Sequence, residues 1–128
     1  MEFQKVIESR RSMRKYNAEK KVTKEMIEQM IAAAIEAPSW KNSQTARYYC
    51  VMSEEMQAKV RECLPEFNVK NSTGASALIV TAYKKNKSGF NPDHLTPTNE
   101  LGNGWGIYDL GLHNENFVLK AVDLGLST

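Results

Sequence analysis

The sequence lacks an apolar run of the roughly 18 residues that a membrane-spanning helix needs, and its N-terminus lacks the apolar core of a secretory signal. We therefore expect a cytoplasmic protein without a membrane segment. Only two cysteines are present, Cys50 and Cys63, and their spacing matches no metal or redox motif. These cysteines are expected to be reduced and buried as small hydrophobic side chains.

The chain as a whole also lacks a large charge of one sign, because its formal net charge is only +2. Locally, however, residues 5–24 contain eight lysines and arginines against two glutamates. Such a patch favours an anionic partner: a phosphate group, a nucleic acid or a membrane surface. A nucleic-acid-binding domain is the weaker interpretation, because neither an aromatic ladder nor a zinc-ligand pattern accompanies the patch.

The densest part of this patch is Ser9-Arg10-Arg11-Ser12-Met13-Arg14-Lys15-Tyr16. Guanidinium groups and small hydroxyls supply the several donors and the positive charge that a phosphate monoester requires. The stretch follows a short apolar-periodic segment that predicts a helix over residues 2–9. The alternative is a solvated basic turn whose cations complement the helix dipole.

The first half of the 128 residues predicts two helices and a strand within a single domain. Thr23 is the predicted N-cap of the second helix, and the proline after Ala37 ends it. The apolar face of this helix comprises Met26, Ile27, Met30, Ile31, Ala34 and Ile35. A loop over residues 39–44 and a strand over residues 47–52 follow.

The second half begins with a predicted helix after Ser53, which Pro65 ends and which points Met56, Val60, Cys63 and Leu64 inward. Residues 75–83 are mostly apolar and predict a buried central strand. Residues 84–103 form a polar segment, for which a lid over a ligand and a disordered connector are both open. The last helix, over residues 104–124 with Gly125 as its cap, is expected to bury Trp105, Tyr108, Leu112, Leu119 and Val122.

Taken together, these segments resemble the nitroreductase family of FMN-dependent NAD(P)H oxidoreductases. The resemblance covers nearly the whole chain and rests on stretches that occur in the family's order: Ser9-Arg10-Arg11-Ser12-Met13-Arg14, Ala33-Ala34-Ile35-Glu36-Ala37-Pro38-Ser39, Asn42-Ser43-Gln44, Ala77-Leu78-Ile79-Val80, Asp109-Leu110-Gly111, Asn116-Phe117 and Leu124-Gly125-Leu126-Ser127. One departure is Thr45-Ala46, where the family often has Pro-Trp.

The resemblance implies an α+β fold with a central antiparallel or mixed sheet flanked by helices, in an intertwined homodimer with two FMN sites at the subunit interface. It assigns the FMN phosphate, ribityl chain and pyrimidine edge to Arg10, Arg11, Ser12 and Arg14. It assigns the contact from the opposite subunit to Pro38, Ser39, Trp40, Asn42 and Gln44. Asn68 and Asn71 fall near family positions that face the flavin ring.

The implied activity is hydride transfer from NADH or NADPH through the flavin to a nitroaromatic, a quinone or a similar small acceptor, by a ping-pong mechanism. The flavin carries the chemistry, so no side chain is assigned a catalytic role and no metal site is expected. The alternative is a flavin-binding or flavin-storing protein without efficient turnover. Because the family domain continues beyond Thr128, we expect a single domain over residues 1–128 whose C-terminal strand and helix are missing.

Overall fold

The computed structural model describes residues 2–128, which form an α+β fold with five α-helices and one sheet. No helix in this range is long and apolar enough to cross a membrane. The elements in chain order are α1 (Phe3–Ser9), α2 (Lys24–Ile35), a 3-10 turn (Trp40–Asn42), β1 (Ala46–Val51), α3 (Glu54–Glu62), α4 (Glu66–Ser72), β2 (Leu78–Tyr83) and α5 (Gly104–Asp123).

The core lies where α2 packs along α5. Ala34 on α2 and Ala121 on α5 are both fully buried, with Met30 and Phe117 beside them. The Tyr48 ring of β1 stacks on Phe117 at a centroid distance of 5.2 Å. Small side chains at the two alanine positions let the helix backbones approach closely, and the larger side chains fill the space around them.

The predicted caps of α2 and α5 are confirmed. The Thr23 side chain accepts a hydrogen bond of 3.2 Å from the Met26 amide at the start of α2. After α5, Gly125 takes a φ of +76°, and the Leu126 amide donates to the Ala121 carbonyl at 2.8 Å. A left-handed residue after the last turn is favourable for glycine, because it has no Cβ to collide with the backbone.

The predicted apolar face of α5 is only partly buried within this chain. Tyr108 is 60% exposed, whereas the fully buried positions of the helix are Gly106, Asp109, His113, Phe117 and Ala121. Gly106 faces the ring of Tyr83, whose Cδ2 would lie 2.5 Å from a Cβ at that position. The helix is apolar on more than one side, so periodicity did not reveal which side packs against this chain.

The sheet consists of β1 and β2 in antiparallel register, with Ala46 opposite Tyr83 and Val51 opposite Leu78. The prediction of a buried central strand over residues 75–83 is wrong within the described residues 2–128. No residue of β2 is fully buried, and Val80 is 43% exposed. Only β1 pairs with β2 within residues 2–128, which leaves the apolar strand partly open to solvent.

The prediction for α3 is also wrong in part. The Ser53 N-cap is confirmed, but Met56 and Cys63 are exposed, and Cys50 is exposed as well. The buried residue of α3 is Gln57, whose amide donates to the carbonyls of Met52 and Ser76, both at 3.1 Å. A polar side chain can take an inward position when backbone acceptors satisfy it.

The chain between β2 and α5 is tied together by local hydrogen bonds. Phe90 and Pro97 form an isolated bridge, and the Asp93 carboxylate accepts bonds from the hydroxyl and amide of Thr96. The Thr96 hydroxyl is the main reason that the pKa of Asp93 falls to about 2. The Asn103 side chain bonds the amide and the side chain of Asn86 at 2.7 and 2.9 Å, which joins the two ends of the segment.

We expect Phe117→Ala to lower the free energy of unfolding by about 3–5 kcal/mol, because it empties a filled position between α2, α5 and β1. Phe67→Ala is the matched control. Phe67 is 66% exposed, so its loss should change the stability by about 0.5 kcal/mol or less. Urea unfolding of both variants at one protein concentration measures the difference. Equal losses would contradict the assigned core.

Candidate functional site

A groove of about 480 Å³ brings five predicted site residues together. Arg10, Ser12 and Arg14 line it on the side of the segment that follows α1, and Asn68 and Asn71 line it on the side of α4. The two asparagines are three positions apart, so they share one face of a helical turn. Although α4 was not predicted from the sequence, it is the element that places both amides opposite the basic segment.

Contacts with other parts of the chain position the basic segment. The Met13 amide donates to the carbonyl of Thr128 at 2.9 Å, and the Tyr16 hydroxyl donates to the Met13 carbonyl at 3.0 Å. The carbonyl of Tyr16 lies beside Gly74, which has a φ of +82° and would place a Cβ 3.3 Å from it. These contacts place the backbone of residues 13–16 beside the entry to β2 and the end of the described chain.

The polar side chains of the groove keep most of their hydrogen-bonding capacity. Within residues 2–128, no carboxylate lies within 4 Å of the guanidinium groups of Arg10, Arg11 or Arg14. The amides of Asn68 and Asn71 make no side-chain hydrogen bond in that range. Unpaired cations and free amides in one concave surface are suited to an anionic ligand that has further polar edges.

Arg11 is the predicted residue of this stretch that the structure does not place in the groove lining. Its guanidinium donates to the carbonyl of Arg10 at 2.7 Å, and its side chain is exposed. Arg10 and Ser12 on either side of it do line the groove, so Arg11 is the member of this predicted group that the structure leaves outside the groove.

The other predicted residues lie in the loop over residues 38–44, outside the groove lining. This loop has an unusual backbone. Lys41, Asn42 and Gln44 have φ values of 47°, 53° and 52°. Left-handed conformations are uncommon for residues other than glycine, and clusters of them occur where the surrounding structure holds a loop in one shape.

The hydrogen bonds that hold this loop begin at Ser39 and Trp40. The Ser39 hydroxyl accepts from the Gln44 amide at 3.0 Å, and the Trp40 amide donates to the Asp109 carboxylate of α5. The Trp40 ring packs on Trp105 with centroids 4.5 Å apart. Its indole Nε1 is buried and has no hydrogen-bond partner within residues 2–128.

A second cavity of about 430 Å³ adjoins the loop, and Gln44, Arg47, Tyr48 and His113 contribute to its lining. Burial raises the pKa of Tyr48 to about 12. His113 is buried and contacts the Asp109 carbonyl through Nδ1 at 2.7 Å. The predicted site residues therefore occupy two separate places within one chain.

Two groups of residues at these places were missed by sequence reasoning. In the groove these are Met13, Tyr16, Leu64, Phe67, Ser72, Val118 and Thr128. Beside the loop they are Asp109 and Ser88, which are buried and hydrogen-bonded to each other. The position of Phe67 next to Asn68 was a signal that could have identified it. Asp109 could have been identified because it is a carboxylate within an apolar stretch of α5. No cluster of three potential metal ligands occurs within residues 2–128.

Comparison with known proteins identifies proteins that are similar to this chain in sequence and in structure. Residues 7–128 match the family model described as the nitroreductase family. YdgI of Bacillus subtilis (strain 168), whose name places it with the NAD(P)H nitroreductases, is 30% identical over 101 residues. The match covers 79% of this chain and 48% of YdgI, so the chain spans about half the length of that relative.

Two further relatives support the same grouping. The CLA biosynthesis enone reductase of Lactiplantibacillus plantarum is 31% identical over 77 residues, which cover 60% of this chain and 36% of that enzyme. A protein of Exiguobacterium sibiricum 255-15, solved in complex with FMN, is 25% identical and superposes with a TM-score of 0.79. That superposition covers 94% of this chain and 70% of the other. Since the family model matches nearly the whole chain, the chain belongs to the nitroreductase family.

Proposed function

We propose that this chain belongs to an FMN-dependent oxidoreductase that takes hydride from NAD(P)H and reduces a small acceptor such as a nitroaromatic or a quinone. The observation that carries the proposal is the groove in which Arg10 and Arg14, with no carboxylate within 4 Å in residues 2–128, face Asn68 and Asn71. The relatives are consistent with this, because one is named for NAD(P)H nitroreductases and another was solved with FMN.

The residues of the groove fit this cofactor. An FMN phosphate is a dianion, and arginine stays protonated at all working pH values while offering several donors to phosphate oxygens. Ser12 adds a neutral donor of little bulk. The two asparagine amides each offer both a donor and an acceptor, which matches the alternating polar edge of a flavin pyrimidine. Arg10 and Ser12 would thus hold the charged part of FMN. Arg14, Asn68 and Asn71 would lie at its ring edge.

When bound, FMN supplies the redox chemistry by accepting hydride from NAD(P)H and returning the reducing equivalents to the acceptor. The chain's own residues bind and orient the reactants. The guanidinium group of Arg14 stabilises negative charge at the polar edge of the site. A groove open to solvent can serve the nucleotide donor and the acceptor in turn, which supports a ping-pong order of reaction.

We further propose a homodimer in which the loop over residues 38–44 completes the groove of the other subunit. Two observations support this. The loop does not reach the groove of its own chain, and α5 exposes an apolar side on which Ile107 and Tyr108 are both 60% exposed. Gly111 lies near this side, and within residues 2–128 no atom outside its own stretch of helix lies within 4 Å of where its Cβ would be, so a second backbone can approach closely there. The cytoplasmic location stays a prediction.

The first test is the visible spectrum of the purified protein followed by an activity assay. We expect a yellow protein with flavin absorption that oxidises NADH or NADPH when a quinone or a nitroaromatic is present. Flavin absorption without turnover, with either nucleotide and either acceptor, would favour the flavin-storing alternative. A colourless protein that does not take up added FMN would contradict the proposal.

The second test separates phosphate contacts from ring contacts by comparing FMN with riboflavin, which lacks the phosphate. A charge-assisted hydrogen bond contributes about 1.5–3 kcal/mol, so Arg10→Ala should weaken FMN binding by about 10- to 100-fold. If Arg10 holds the phosphate, riboflavin affinity should hardly change. If Arg14 lies at the ring edge, Arg14→Ala should weaken the binding of both flavins alike. Fluorescence titration of the two variants with both flavins measures the four affinities.

Lys70→Ala is the matched control for this test, because it removes a cation from the exposed surface of α4 outside the groove lining. Its FMN affinity should equal that of the wild type. If Arg10→Ala and Arg14→Ala both bind FMN and riboflavin as tightly as this control does, the basic segment is a solvated surface and has no part in cofactor binding.

The third test is complementation between subunits. Arg10→Ala damages the groove, and Asn42→Ala damages the loop, so each homodimer has two impaired sites. A mixed dimer with one variant in each subunit has one site with both defects and one site with neither, if the loop reaches across the interface. We expect FMN titration of the purified mixed dimer to show half a site per subunit with wild-type affinity.

The control is a mixed dimer in which both changes lie in the same subunit and the partner is wild type. There, each site carries one defect, and no wild-type site is expected. If the two mixed dimers titrate alike, or if light scattering shows a monomer at micromolar concentration, the shared site is excluded.

A further inference from the structure

Asp109 is a carboxylate in the buried face of α5, only 2% exposed, and it has no cation within 4 Å in residues 2–128. Both of its oxygens accept from the Trp40 amide, at 3.2 and 3.1 Å, and one also accepts from the Ser88 hydroxyl. Burying a carboxylate is costly unless hydrogen bonds replace its hydration. Donors from two distant segments therefore converge on this one side chain.

Ser88 extends this connection toward the far end of the loop. It is 1% exposed, and its hydroxyl lies 2.5 Å from that of Ser43 and 3.5 Å from that of Thr45. Thr45 is fully buried. The polar chain thus runs from α5 through residue 88 to the last residues before β1, and it contacts the loop at both of its ends.

The backbone next to Ser88 has little freedom to move. Gly89 has a φ of +77°, and a Cβ there would lie 2.4 Å from the Gly102 carbonyl oxygen and 2.6 Å from the Trp105 ring. The Thr98 amide also donates to the Gly89 carbonyl at 2.8 Å. Segment 84–103 therefore holds the Ser88 hydroxyl firmly against α5 and the loop.

The backbone conformation of the loop over residues 38–44 requires restraints from the surrounding structure. Three of its residues, Lys41, Asn42 and Gln44, have left-handed backbones. Such conformations cost free energy and persist only where the surroundings determine them. Hydrogen bonds at Trp40 and Ser43 flank Lys41 and Asn42 on both sides. We call the buried pair Asp109 and Ser88, which makes these bonds, the clamp. The clamp restrains the part of the loop that has unfavourable φ values.

We propose that Asp109 and Ser88 are positioning residues, which act through Trp40 and Ser43 to hold Asn42 and Gln44 in the conformation that contacts FMN. This rests on the proposed function, and it assigns segment 84–103 a role as a buttress of the cofactor loop. Neither residue touches the cofactor. They restrict the loop before FMN binds, so that less conformational entropy is lost on binding.

The test uses Asp109→Asn, which keeps the side-chain shape but replaces one acceptor by a donor, and Ser88→Ala, which breaks the link to Ser43. The matched control is Asn116→Ala. It removes another contact of α5, the 3.2 Å bond to the Ala33 carbonyl of α2, without touching the loop. Amide hydrogen exchange of residues 39–44 is measured without FMN, and FMN affinity and the melting temperature are measured for each protein.

For Asp109→Asn and Ser88→Ala we expect amide exchange in the loop to accelerate by about tenfold or more. This factor corresponds to the loss of one charge-assisted hydrogen bond in each variant. FMN affinity should fall by about the same factor. Asn116→Ala should lower the melting temperature while leaving loop exchange and FMN affinity unchanged. If Asp109→Asn does not fold, Ser88→Ala alone decides the outcome.

Unchanged loop exchange in the folded variants would overturn the clamp. Faster exchange with wild-type FMN affinity would overturn the positioning role, as would an affinity loss matched by the Asn116→Ala control. A wild-type protein that binds no FMN would refute the proposed function instead, and the exchange data would still decide whether the clamp holds the loop.

Discussion

The close contact between α2 and α5 governs the arrangement of the other elements. Ala34 and Ala121 are fully buried at this contact, and their small size sets how near the two helix axes come. Once α5 is seated on α2 by this face, its orientation about its own axis is settled. Asp109 is then turned inward beneath the loop over residues 38–44, and Tyr108 is turned outward.

That orientation divides the candidate site in two. The basic segment and α4 make a groove lined by arginine cations and asparagine amides, and the loop with left-handed residues lies elsewhere on the same chain. Neither half has both the charge and the preorganised polar loop that a flavin site would use. In the proposed homodimer, a second copy of the chain packed along the exposed side of α5 would bring the two halves together.

The buried polar chain from Asp109 through Ser88 explains several features that would otherwise be separate. It accounts for a carboxylate in an apolar helix, for a left-handed loop without glycine, and for a long segment between β2 and α5 that is tied by hydrogen bonds. Buried polar networks stabilise one conformation when every member is satisfied. Here the conformation is that of the loop that carries Asn42.

The sequence by itself determined the features that depend on neighbouring residues: the caps at Thr23, Ser53 and Gly125, the existence of the main helices and strands, and the ordered motifs of the nitroreductase family. These follow from local backbone preferences and side-chain periodicity. Only the tertiary structure decided which face of α5 is buried, that Gln57 takes the inward position of α3, and that Arg11 lies outside the groove that Arg10 and Ser12 line. The reason is physical: a helix that is apolar on several sides can bury any of them, and the choice depends on partners that are distant in the chain.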